Sequence, residues 1–172
     1  NAQKFPVVFT GIDTLDRLLG GLPRGSIIFF EGSPGSGFDT LARQILYTGA
    51  TTGGIKAVYV NTDRPVEDIV EEMNVMGFNV NPLIEDGRWS FVDIYTHRLS
   101  VQKGIAGPKV LEDAFNMIPT LVKPDTWLAV DTFSFFIQRF ESTTVESILD
   151  ELMHQARESG GIHFPLLVEG LH

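Results

Sequence analysis

Short β-rich segments alternate with segments of helical periodicity along the chain, and this alternation limits the possible folds more than any other feature. The strand-like segments are apolar on both faces, which is typical of parallel strands buried on either side. The sequence therefore predicts an α/β protein built on a parallel sheet. The predicted strands are residues 26–30, 56–60, 89–94, 127–130 and 162–168, and the predicted helical segments are residues 40–50, 66–73, 110–118 and 143–156. Thr143 and Glu146 have the spacing of a capping box at the start of the last helix. The solvated face of the second helix is expected to carry Glu67, Asp68, Glu71 and Glu72.

Charge and composition exclude several classes of function. The chain carries 13 Lys and Arg against 22 Asp and Glu, a net charge of −9, which repels phosphate backbones and anionic membranes. The absence of Cys excludes a disulfide scaffold, a Cys-ligated zinc site and a cysteine nucleophile. No segment reaches the ~18 apolar residues of a membrane-spanning helix. We therefore expect a cytoplasmic protein that binds neither nucleic acid nor membrane.

A glycine-rich segment joins the first predicted strand to the first predicted helix, with the G-x-x-x-x-G spacing of a phosphate-binding loop. In such a loop, backbone N–H groups converge on phosphate oxygens at a helix N-terminus. The two positions that should hold Lys and Ser or Thr hold Phe38 and Asp39 instead. The candidate nucleotide-binding residues are Gly32, Ser33, Pro34, Gly35, Ser36, Gly37, Phe38, Asp39 and Thr40.

The size of the two changes predicts a weakened site. Loss of the Lys removes charge-assisted hydrogen bonds of roughly 1.5–3 kcal/mol. A carboxylate of Asp39 about 4 Å from a phosphate adds repulsion of up to ~4 kcal/mol. Together, roughly 5 kcal/mol would lower affinity by three to four decades. Two further interpretations stay open: Asp39 acts as a built-in anion at the helix N-terminus, and Phe38 packs between helix and sheet.

Residues 10–26 read TGIDTLDRLLGGLPRGS and resemble the lead-in of RecA-superfamily ATPases of the KaiC and RadA type. The order of lead-in, strand, glycine-rich loop, helix and a strand ending in a Walker-B-like Asp131 extends the resemblance over nearly the whole chain. The resemblance implies a RecA-like P-loop domain, with a mostly parallel central sheet and helices on both faces. It also implies ATP, magnesium, and assembly into rings or filaments.

The same resemblance assigns roles to individual residues. The family's magnesium-linked aspartate corresponds to Asp131, and its paired glutamates, the first of which acts on the attacking water, correspond to Asp63 and Arg64. Asp63 also has a structural interpretation as N-cap of the following helix, and Asp131 as a strand-end carboxylate. Because the Walker A loop and the glutamate pair are both altered, we expect ATP and magnesium binding to be weak or lost. The favoured function is a non-hydrolysing, regulatory or scaffolding domain that acts through protein contacts.

Two other functions stay open. One is an ATPase with unusual phosphate handling, in DNA repair or in KaiC-type signalling. The other is a DNA-binding accessory module, in which Phe133, Phe135, Phe136 and Phe140, with Arg139, would stack on bases. Those rings could equally pack in the core or form a partner interface. The four His residues show no metal-ligand spacing, so we expect ordinary surface or core histidines.

The resemblance also bears on the edge of the sheet. Residues 162–168 should pair on one side of residues 27–30, and the strand expected on the other side comes later in the family than position 172. We therefore expect residues 1–172 to be a single domain that lacks its C-terminal strands. Either further chain or another chain, including a second copy, would cover the open edge.

Overall fold

The computed structural model describes residues 7–170, apart from the side chain of Leu19. Its main sheet contains five parallel strands in the order β3-β7-β6-β4-β5, and β1 and β2 form a separate antiparallel pair. The strands are β1 (Val7–Val8), β2 (Leu22–Pro23), β3 (Phe30–Gly32), β4 (Lys56–Asn61), β5 (Trp89–Asp93), β6 (Thr126–Asp131) and β7 (Ile162–Val168). The helices are α1 (Asp13–Leu19), α2 (Phe38–Thr52), α3 (Val66–Val75), α4 (Asn81–Glu85), α5 (Ile94–Gln102), α6 (Lys109–Met117), α7 (Ser134–Arg139) and α8 (Ser142–Ser159), and a 3₁₀ helix (Ile118–Leu121) follows α6.

Two hydrophobic cores lie on opposite faces of the main sheet. Alternate residues of β6 point to different cores: Trp127 and Ala129 pack under α2 and α3, whereas Leu128 and Val130 pack against α6, α7 and α8. This alternation follows from the two-residue period of a strand. The predicted parallel sheet with helices on both faces is confirmed. None of the helices between residues 7 and 170 is long and apolar enough to cross a membrane.

The first strand of the main sheet begins later than predicted. The regular ladder with β7 covers only β3, while Ile27 forms an isolated bridge to His163 and the Ile28 N–H donates to the His163 carbonyl at 2.8 Å. Pro165 lies between these two paired stretches and has no N–H to donate, which interrupts the ladder. The predicted pairing with residues 162–168 is confirmed, and no described strand pairs with the other side of β3.

Two predictions about helix starts are wrong. Helix α8 begins at Ser142, and no side chain caps it, so the capping box predicted from Thr143 and Glu146 does not form. Helix α5 was not predicted, and it begins at Ile94, which was assigned to a strand. The reason is Asp93, whose side chain accepts a hydrogen bond from the Thr96 N–H at 3.1 Å and so starts a helix directly after β5.

The aromatic residues after β6 form part of the core. Phe133 and Phe136 are fully buried, and the ring of Phe115 stacks on Phe136 with centroids 4.3 Å apart and on Phe140 at 5.0 Å. Phe135 is only partly buried, and the Arg98 guanidinium lies 4.4 Å from its ring centre. Two of the four rings considered for DNA stacking are therefore inaccessible to bases.

His163 is buried among apolar side chains, and neither ring nitrogen has a hydrogen-bond partner among the described residues. Burial lowers the pKa of His163 from 6.5 to about 4. In the unfolded chain the imidazole takes up a proton as the pH falls through 6.5, but the folded protein resists protonation until about pH 4. The unfolded state therefore binds more protons in this interval, and stability falls as the pH falls.

We expect His163→Leu to remove this component of the pH dependence. Between neutral pH and about pH 4, the free energy of unfolding of wild type should fall by about 3 kcal/mol more than that of the variant. Urea unfolding at several pH values measures the difference, and His154→Leu, at an exposed position of α8, is the matched control. An unchanged pH profile in His163→Leu would mean that the imidazole is not buried in its neutral form.

Candidate functional site

A cleft of about 420 Å³ opens at the carboxyl ends of the main strands, where open α/β sheets commonly bind ligands. It lies between the glycine-rich loop, the end of β6 and the start of α3. The structure therefore brings together the predicted loop, Asp63, Arg64 and Asp131. The lining residues are Pro34, Gly35, Gly37, Phe38, Asp39, Thr40, Asp63, Arg64, Ile69, Glu72, Asp131, Thr132 and Val168.

The glycine-rich loop leads directly into α2. Gly37 precedes the helix with a φ of 87°, a left-handed conformation that favours glycine. Gly32 lies under the Phe38 ring, because a Cβ placed on Gly32 would lie 2.7 Å from Cδ1 of Phe38 and 2.7 Å from Oγ of Ser36. The ring also packs against the core beneath α2, which confirms the predicted helix–sheet packing of Phe38.

Asp39 is bound within the first turns of α2. Its Oδ1 accepts a hydrogen bond from the Thr40 N–H at 2.9 Å, and its Oδ2 accepts one from Nη2 of Arg43 at 3.1 Å. The first contact is the kind expected of a carboxylate that acts as a built-in anion at a helix N-terminus. The second joins residues four apart, which face the same side of a helix.

Asp131 is held by two buried side chains. The Tyr59 hydroxyl donates to Oδ2 of Asp131, and Nη2 of Arg43 lies 3.4 Å from the same oxygen. Burial raises the pKa of Asp131, although the hydrogen bond from Tyr59 and the charge of Arg43 act in the opposite direction. Burial and the neighbouring Asp131 raise the pKa of Tyr59 well above its usual value, so the phenol keeps its proton.

Asp63 does not cap α3, so that interpretation is wrong. Pro65 occupies the N-cap position, in an extended conformation from which the helix starts directly. The Asp63 carboxylate instead accepts hydrogen bonds from Nη1 of Arg98 at 2.7 Å and from Oγ1 of Thr132 at 3.1 Å. Arg98 thus anchors a carboxylate that lines the cleft.

Glu72 is part of the cleft, although the sequence places it on the solvated face of α3 with Glu67, Asp68 and Glu71. Arg64 donates to its carboxylate, and Nη1 of Arg43 lies 3.2 Å from Oε1. Burial would raise the pKa of Glu72, but the hydrogen bond from Arg64 and the charge of Arg43 outweigh it and hold the pKa below its usual value. The other three carboxylates are exposed, as predicted.

The sequence interpretation missed Arg43, Tyr59 and Arg98, which each contact a carboxylate of the site. One signal was available: Arg43 follows Asp39 by four residues on the apolar face of α2. Tyr59 and Arg98 gave no local signal, because their contacts depend on how the strands and helices are arranged.

Several side chains that line this cleft are engaged in contacts within the protein. Magnesium prefers oxygen ligands in near-octahedral geometry, but Asp131 already accepts from Tyr59 and Arg43. Between residues 7 and 170, no three Asp, Glu or His side chains converge on one point as a metal site. At the position of the phosphate-binding lysine stands Phe38, and the cleft-lining Arg64 is paired with Glu72.

The sequence is similar to those of KaiC-type proteins. The model of a family described as "ATPase: KaiC" matches residues 8–163. A UPF0273 protein of Thermotoga maritima is 32% identical over 90 residues, which cover 52% of this chain and 37% of that protein. The circadian clock oscillator protein KaiC of Thermosynechococcus vestitus is 30% identical over 91 residues, which cover 53% of this chain but only 17% of that protein.

Two solved structures share the fold. A KaiC-like protein of Pyrococcus horikoshii superposes with a TM-score of 0.67 at 22% identity, covering 97% of this chain and 73% of that one. The flagellar accessory protein FlaH of Methanocaldococcus jannaschii gives a TM-score of 0.71 at 15% identity, covering 96% of this chain and 71% of that one. At these identities the likeness establishes the fold alone, and it confirms the RecA-like architecture.

Proposed function

Because this chain belongs to the KaiC family of ATPases, we propose that it is a member that no longer hydrolyses ATP and that acts through contacts with other proteins. The resemblance of residues 10–26 to this family is thereby confirmed. The regulatory or scaffolding role, the cytoplasmic location and the extent of the domain stay predictions.

Phe38 is the observation that carries the proposal. Its aromatic ring stands where the loop needs a cation, and it folds back over Gly32. The next residue, Asp39, brings a carboxylate to the cleft at the position of the magnesium-binding hydroxyl. A triphosphate would therefore meet an apolar ring and a negative charge where a P-loop offers a lysine and a hydroxyl.

The contacts of Asp63 and Asp131 support the same proposal. A general base must be free to accept a proton from the attacking water, but the Asp63 carboxylate is already bound by Arg98 and Thr132. The oxygen of Asp131 nearest to Arg43 accepts from two donors. Both oxygens of Asp63 and one oxygen of Asp131 are therefore bound within the protein.

Apolar surface at the open edge of the sheet supports a role in protein contacts. Phe29 and Met153 expose about half of their side chains, 50% and 47%. They line a cleft of about 270 Å³ between the segment that leads into β3 and helix α8, and β3 is an edge strand of the main sheet. Unpaired strand edges with apolar neighbours are readily covered by another polypeptide. We propose that a protein partner or a second copy binds here.

Nucleotide binding without turnover is the second candidate function. The loop retains its left-handed Gly37 at the start of a 15-residue helix, which is the backbone arrangement that supports phosphate binding. Calorimetric titration with ATP and magnesium distinguishes this function from complete loss of the nucleotide.

We expect no magnesium-dependent ATP hydrolysis above background, because the lysine is absent and the corresponding carboxylates are bound by other residues. Phosphate release with and without magnesium is the measurement, and Asp131→Ala is the matched variant. Wild-type turnover that requires magnesium and is abolished by Asp131→Ala would contradict the proposal.

A further inference from the structure

Arg43 stands at the centre of the cleft's charged residues although its side chain is only 1% exposed. Nη2 lies 3.1 Å from Oδ2 of Asp39 and 3.4 Å from Oδ2 of Asp131, and Nη1 lies 3.2 Å from Oε1 of Glu72. Nε donates to the Tyr59 hydroxyl at 3.0 Å. One guanidinium therefore contacts carboxylates from α2, from α3 and from the end of β6.

A buried cation is tolerated only when opposite charges compensate it. Burial by itself would lower the pKa of Arg43, but Tyr59, Asp131 and Asp39 together raise it, so the side chain stays charged. Nη2 donates to both Asp39 and Asp131, whereas Nη1 forms an ion pair with Glu72 without a hydrogen bond. The planar group can thus reach carboxylates that do not converge on a single point. The arrangement is built for an arginine rather than for a metal ion.

We propose that Arg43 is the resident cation of this cleft, which pairs with Asp39, Glu72 and Asp131 and cross-links α2, α3 and β6 in place of an exchangeable metal ion. This inference rests on the proposed function and adds a mechanism to it. A domain held in this way keeps the geometry of its cleft whether or not nucleotide and magnesium are present. Its partner would then meet one constant surface instead of one that changes with nucleotide state.

The first test removes the charge and keeps the bulk. We expect Arg43→Met to lower the Tm by about 10 °C near neutral pH, because three carboxylates lose their common partner. Adding Asp131→Asn should recover part of that loss, which a simple packing defect would not allow. Arg157→Met, which removes an exposed arginine of α8, should leave the Tm within about 2 °C.

The second test keeps the charge and changes its geometry. Because the three carboxylates do not converge on a single point, Ca²⁺ or Tb³⁺ should raise the Tm of neither Arg43→Met nor wild type. If Arg43→Met does not fold, Arg43→Lys supplies the measurement instead. Arg43→Lys, which keeps the charge without the planar fork, should lose less stability than Arg43→Met and should not respond to Ca²⁺.

Three results would overturn the inference: an unchanged Tm in Arg43→Met, a loss that Asp131→Asn does not reduce, or a Ca²⁺ or Mg²⁺ response of wild type that Asp131→Asn abolishes. ATP hydrolysis measured on the same preparations keeps the two claims separate. Turnover by wild type would contradict the proposed function, whereas the stability of the variants tests Arg43 alone.

Discussion

Phe38→Lys combined with Asp39→Thr should raise ATP affinity by three to four decades. The lysine restores charge-assisted hydrogen bonds of roughly 1.5–3 kcal/mol, and removal of the carboxylate relieves repulsion of up to ~4 kcal/mol. Gly37 already leads into α2 in a left-handed conformation, with a φ of 87°. Calorimetric titration with ATP and magnesium measures the change. Hydrolysis should stay low, because the resemblance to the family puts Arg64 where the second of its paired glutamates would stand.

Phe38→Met with Asp39→Thr is the matched control, since it opens the space and removes the negative charge without supplying a cation. Its ATP affinity should rise only by the amount due to the lost repulsion from the Asp39 carboxylate. A double variant that folds normally and still binds no nucleotide would show that the loop backbone no longer forms a phosphate cradle. In that case the loss of function would lie in the loop geometry and not in the two side chains.

Phe136→Ala should lower the free energy of unfolding by about 3–5 kcal/mol, the usual effect of removing a buried aromatic ring. The ring is fully buried and lies against Phe115, Phe133, Phe135 and Phe140. A domain of this size has about 5–15 kcal/mol of total stability, so the variant would approach the limit of folding. The midpoint of urea unfolding gives the measurement.

Gln138→Ala is the control on the same helix, because this exposed side chain should change stability by less than about 0.5 kcal/mol. Anisotropy with single-stranded DNA at low salt tests the competing role of the aromatic segment. We expect no binding by wild type or by either variant. A stable Phe136→Ala protein, or DNA binding that this substitution abolishes, would favour an exposed stacking surface over a core.

The sheet was predictable because strand patterns are local. The run from Trp127 to Val130 is apolar at every position, and a strand buried on both faces is the simplest structure that accounts for it. The limits of the segments were harder to predict. The interruption opposite Pro165 depends on which chain lies beside β7, and the start of α5 depends on Asp93, whose capping contact ends a strand pattern that continues through Ile94.

The candidate site was predictable only in part. The loop and Asp131 carry motifs, so their position in one cleft followed from the resemblance. Asp63 was assigned to a cap because its spacing from α3 allows it, but an ion pair with Arg98 across two elements forms instead. Arg43 was overlooked because its role depends on three carboxylates, two of which come from other elements of the fold. The sequence does not show that these elements meet at α2.

The register of β3 has a consequence for biosynthesis. Phe30 pairs with Leu166 and Gly32 with Val168, so the glycine-rich loop is anchored by a strand that leaves the ribosome far later. At the usual rates of translation, the delay is on the order of ten seconds. Strands β4, β5 and β6 can assemble in the meantime, since all three are made before β7, and β4 pairs with both of the others. During this interval the apolar residues from Ile27 to Phe30 have no strand beside them, which makes the nascent chain a substrate for chaperones.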